Sequence, residues 1–135
     1  MKIRMYHVAV CSTFTQAPES WELSEIVRKK VTGFNSRCLH VITGRPHRET
    51  ATDPIYNLVL DIRHRRLRFL GHLLRMDSSR LVRRTFLAYV YGGEQIPVGS
   101  LLQDCPKIPL ESLVELAMDR SKWKKIVREN PLNSL

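Results

Sequence analysis

A run of apolar residues at helical spacing, set between two stop signals, constrains this chain more than any other feature. Val27, Val31, Phe34, Cys38 and Val41 or Ile42 recur at steps of three and four, which lays them along one stripe of an α-helix. Ser24, followed by Glu25, is suited to accept an orphan amide of the first turn, and Gly44 can take the left-handed position that closes the last. The spacing predicts a helix over 25–43.

Residues 1–15 are apolar without a clean period: Ile3, Tyr6, Val10 and Phe14 suit a helix, whereas Val8, Val10 and Thr13 would suit a strand, and the expectation is a helix ended by Pro18. The polar stretch 45–52 reads as a connector. At Asp53-Pro54 a cap precedes a proline at the first helical position, where its missing amide costs nothing. A long helix is predicted from there to about Met76, with Ile55, Leu58, Val59, Ile62, Phe69, Leu70, Leu73 and Met76 on one face. His64, Arg65, Arg68, His72 and Arg75 lie opposite. Arg66 points near the centre of the apolar face. An unpaired buried cation is costly, so it needs a partner: a carboxylate such as Asp61 or Asp119, helix-end carbonyls, or a covering nucleic acid.

Asp77-Ser78-Ser79 is a stop and a new cap, Leu81 to Val90 a short helix, and Gly92-Gly93 its end. Residues 94–108 read as loop with one turn at Leu101-Leu102. Pro109 opens a last helical stretch in which Leu110, Leu113, Val114 and Ala117 share a face. Trp123, Ile126 and Val127 are rotated away from that face, which predicts two short helices meeting near Asp119. The tail 130–135 is expected to fray.

Charge narrows the function. The chain carries 22 Lys plus Arg against 13 Asp plus Glu, a net +9. Between Asp61 and Arg84, eight arginines face two aspartates, so +6 of that +9 falls in 24 residues. All eight are Arg, whose planar fork grips a phosphate in two places, unlike the point charge of Lys. The reading is a phosphate-tracking surface formed by Arg65, Arg68, His72, Arg75, Arg80, Arg83 and Arg84; the alternative is a solvated face whose Arg stems cover apolar neighbours. Trp21 and Trp123 are read as core plugs before stacking platforms. Phe34, Arg66, Phe69 and Asp119 are read as structural.

Other chemistry is sparse. Cys11, Cys38 and Cys105 form neither a C-x-x-C pair nor an even framework, and the five histidines include no H-x-x-x-H. No P-loop, nucleophile elbow, zinc-protease or dinucleotide pattern occurs, so neither cofactor nor metal is expected and the chain is read as no enzyme. No apolar run reaches the length of a membrane span, and the start lacks a signal-peptide h-region, which reads as soluble and intracellular, nuclear or cytoplasmic alike.

Several segments, in order, resemble one family. Glu19-Ser20-Trp21-Glu22-Leu23-Ser24, then Phe34-Asn35-Ser36-Arg37-Cys38-Leu39 with Ile42-Thr43-Gly44, is similar to the segment after the palm in reverse transcriptases of non-LTR (LINE-type) retrotransposons. Arg65 to Met76, followed by Arg80-Leu81-Val82, resembles the basic helix further along those polyproteins. Ala117-Met118-Asp119-Arg120 with Trp123-Lys124 and Val127 is similar to their closing motif. The resemblance implies a thumb-like helical segment (1–44), a connector (45–52) and a basic post-polymerase helical region (53–129), which hold template and primer in the parent protein. The Tyr/Phe-Ala-Asp-Asp motif that carries the polymerase metals is absent, which implies a truncated, non-catalytic remnant.

The expectation is a mainly α chain of five or six helices in a small bundle, binding RNA or DNA non-specifically through phosphates. A protein partner in place of the missing palm is the further partner it allows. The competing expectation is an inert fragment or protein-interaction bundle with an Arg-rich face.

Overall fold

The computed structural model describes residues 1–20, 22–52, 57–92, 99–105 and 108–129. Within them the chain is mainly α-helical and contains no strand. The order is α1 (Lys2–Tyr6), a π-helical turn (His7–Cys11), α2 (Ser12–Phe14), a 3₁₀ turn (Pro18–Ser20), α3 (Glu25–Thr43) and α4 (His47–Thr52). There follow α5 (Leu58–Arg75), α6 (Leu81–Gly92), a 3₁₀ segment (Gly99–Asp104), α7 (Leu110–Met118) and α8 (Arg120–Glu129). These are eight α-helical segments where the sequence predicts five or six, because α4 was not foreseen and the N-terminal helix is interrupted.

Packing divides the chain into two units: Met1–Pro18 with Glu22–Arg63, and Glu19–Trp21 with His64 onward. The division falls inside α5, not at the expected connector.

In the first unit, hydroxyl side chains compete with the helix ladder near the N-terminus. The Thr13 hydroxyl donates to Ala9 O at 2.9 Å, the Thr15 hydroxyl to Cys11 O at 2.9 Å, and the Ser12 hydroxyl to Val8 O. Such back-bonding occupies helix carbonyls and bends helices, and the adjoining turn is widened to π geometry. The buried Tyr6 hydroxyl donates to Asn35 Oδ1 of α3 at 2.8 Å, and Phe14 packs on Phe34 with ring centroids 5.2 Å apart. Burial drives the Tyr6 phenol well above its ordinary pKa, and also raises the Cys11 thiol.

α3 has the predicted ends. Ser24 Oγ accepts from the Val27 amide, and Gly44 closes the helix at φ 71°, ψ 2° with its amide on His40 O. The expected connector at 45–52 is instead helical from His47. Pro46 O accepts the Glu49 and Thr50 amides at 3.0 and 3.1 Å, and the buried Thr50 hydroxyl lies 2.8 Å from Ser36 Oγ. A tertiary hydrogen bond thus stabilises a helix that the polar composition of its sequence conceals.

The second unit has a continuous core of Leu67, Leu70, Leu73, Leu74, Phe86, Leu101, Leu113, Ala117, Trp123 and Val127. The buried arc of α5 therefore takes in Leu67 and Leu74, and Phe69 and Met76, expected on the apolar face, are only half-buried. The expected cap at Asp53-Pro54, the structural role of Trp21, Gly93 and the tail 130–135 lie outside the described residues. α7 ends at Met118, Asp119 is extended at φ −85°, ψ 102°, and α8 begins at Arg120, so two helices do meet at Asp119. The Asp119 carboxylate accepts the Ser121 and Lys122 amides at 2.9 and 3.2 Å. Those bonds, from Lys122 first and Ser121 next, hold its pKa below the usual carboxylate value. No helix of the described residues is long and apolar enough to cross a membrane.

Candidate nucleic-acid interface

Arg66 lies inside the second unit's core and is not available to a ligand. Its Nε donates to Asp104 Oδ2 at 2.5 Å, with the two side chains 1% and 3% exposed. The expected partners Asp61 and Asp119 are not the ones found. A charge-assisted hydrogen bond to a carboxylate 38 residues along the chain ties α5 to the 3₁₀ segment. Low dielectric makes that pair costly to break from one side.

Gly71 and Trp123 set the spacing between α5 and α8. The Trp123 indole N–H donates to Leu67 O at 3.0 Å, and a Cβ built on Gly71 would lie 2.1 Å from the indole nitrogen. Only glycine leaves room for the ring against the helix backbone. Trp123 is 3% exposed, so it is a core plug with its polar edge satisfied and has no free face on which to stack a base.

Beside this contact runs a groove of about 440 Å³. α5 lines it with Arg68, His72 and Arg75, and α8 with Arg120, Lys124 and Arg128; Trp123 and Val127 complete the wall. Among the described residues no carboxylate lines it. Arg75 feels this setting: burial, and secondarily the Arg120 guanidinium, push its pKa below the ordinary value. Concentrated like charge without counter-charge is the electrostatic form of an anion site.

The predicted phosphate residues divide. Arg68, His72 and Arg75 come together in the groove. Arg75 is half-buried, and its Nη1 donates to Ala117 O at 2.9 Å, so one edge of its fork caps the end of α7. Arg83 is also half-buried and donates through Nη1 to Met76 O, near the end of α5. That bond satisfies a carbonyl left over near the helix end and occupies one nitrogen of the Arg83 fork. Arg65, Arg80 and Arg84 are exposed and do not line the groove.

Arg120, Lys124 and Arg128 were missed by the sequence reading. Their signal was present, since steps of four place all three on one face of a helix. Among the described residues no three His, Cys, Asp or Glu gather into a group that could hold a metal ion.

No family model matches the chain, and neither a curated protein nor a solved structure matches it.

Proposed function

We propose that the chain is a non-catalytic, sequence-tolerant nucleic-acid-binding protein whose second unit grips phosphates in the α5/α8 groove. The observation that carries this reading is the groove lining: Arg68, Arg75, Arg120, Lys124 and Arg128 with His72. Guanidinium forks suit bidentate phosphate contacts. Sequence tolerance follows from Trp123, whose ring is committed to Leu67 and Gly71 and leaves charge, not base stacking, as the means of recognition.

Descent from a non-LTR reverse transcriptase is part of the same proposal. It is supported by the way Gly71, in the segment that resembles the family's basic helix, and Trp123, in the one that resembles its closing motif, make a single contact. The two motifs then have a common structural reason to occur together.

Salt dependence tests the reading. In Arg68→Gln/Arg120→Gln/Lys124→Gln the magnitude of the log K against log salt slope should fall by about 0.7 per lost contact on a single strand and about 0.9 on duplex DNA. Thermal melts should show the fold intact, because none of the three has a core role. Unchanged affinity and slope would leave the groove as a solvated surface.

A further inference from the structure

The first unit carries a basic cleft of its own. It lies between α3 and α4, has a volume of about 660 Å³, and is lined by Lys29, Lys30 and Arg37 of α3 with His47 and Arg48 of α4. No carboxylate lines it among the described residues. Glu25 pairs with Lys29 at 2.8 Å, both side chains being largely exposed, an arrangement that screens weakly in water.

The two helices are locked together at the cleft. Ser36 Oγ donates to His47 O at 3.1 Å and lies 2.8 Å from Thr50 Oγ1, and the Thr50 hydroxyl approaches Ser36 O at 3.2 Å. His47 stacks on His40 with centroids 4.3 Å apart, and His40 Nδ1 lies 2.6 Å from Arg45 O. The cations of α4 are therefore presented by a fixed element, which lowers the ordering cost of binding.

Gly33 is the second observation. It sits midway along α3, where glycine is a poor helix former, yet a Cβ there would meet nothing within 4 Å. Internal packing does not demand it. Its effect is to leave the cleft wall low between Lys29, Lys30 and Arg37, where a bulky anion can come close to the helix.

The geometry points to a second phosphate-binding site, between α3 and α4, that takes phosphate groups independently of the α5/α8 groove. Lysines and arginines from two helices line an open concavity there that has room for a phosphate or a short run of them, and the Ser36 and Thr50 hydroxyls are spent on holding the helices together. The site stands whether or not the α5/α8 groove binds nucleic acid.

The test uses the full chain and two probes, inorganic pyrophosphate and a short oligodeoxythymidylate, followed by amide shifts in ¹H–¹⁵N spectra. Saturable shifts at Gly33, Arg37, His47 and Arg48 with both probes are expected; shifts with pyrophosphate alone would assign the site to small polyphosphates. In Lys30→Gln/Arg37→Gln/Arg48→Gln they should disappear, and the salt slope for the oligonucleotide should fall by about 0.7 for each contact. They should persist in the triple variant of the α5/α8 groove, which separates failure of one site from failure of the other. Amides of the cleft that stay fixed under both probes in the native chain would overturn the proposal.

Discussion

Gly71 inverts the usual rule for a glycine inside a helix. Replacing such a residue by alanine ordinarily stabilises a helix by up to about 1 kcal/mol, but here the added methyl would collide with the Trp123 ring at 2.1 Å. Gly71→Ala is expected to destabilise by about 1–3 kcal/mol, as overpacking does, and to red-shift the tryptophan emission. Urea denaturation followed by fluorescence reads both, and a stabilised Gly71→Ala protein would contradict the Trp123 seating. Arg66 gives the companion experiment. Arg66→Ala should cost about 3–5 kcal/mol by leaving the buried Asp104 charge without its ion pair, whereas Arg66→Met with Asp104→Leu should recover much of that loss. The sequence showed that Arg66 had to be paired, because its place on the apolar face was plain. It did not show Asp104, which lies in a segment without hydrophobic period, and so Asp61 and Asp119 looked equally suitable.

Elements with both a stripe and caps were legible. α3 runs over 25–43 as expected because Ser24 and Gly44 fix its ends by local chemistry, whereas α4 exists through a tertiary bond between Ser36 and Thr50 that no local pattern announces. α8 was foreseen as a helix from Trp123, Ile126 and Val127, whereas its basic stripe of Arg120, Lys124 and Arg128 lies on the adjoining face, and Trp123 and Val127 border the same groove. Its start depends on Asp119 and therefore on pH. The folded carboxyl has a depressed pKa, so its contribution is present above the ordinary aspartate value of about 3.9 and is lost as the pH falls through the lower folded value. Amide exchange at Ser121 and Lys122 should accelerate in that acid window. Asp119→Asn, whose side-chain oxygen still accepts, should lack this acid step; an identical profile in the two proteins would show that Asp119 does not control the start of α8.

At the scale of the whole molecule, the mainly α architecture and the basic character were readable, since net +9 and helical periodicity are properties of the chain itself. The boundary between units was not, because α5 runs through Arg63 and His64 as one helix, with no stop or cap signal in the sequence to mark it. The groove was half readable: α5 announced its cations as a cluster, while those of α8 became part of one site only when the Gly71–Trp123 contact brought the helices together. That contact also makes the protein its own optical gauge. The indole that sets the spacing of the two helices is a chromophore bonded through its N–H to the backbone of one of them. Any widening between α5 and α8 must break that bond and admit water to the ring, so in a Trp21→Phe background the colour of the emitted light measures the width of the groove without an attached dye.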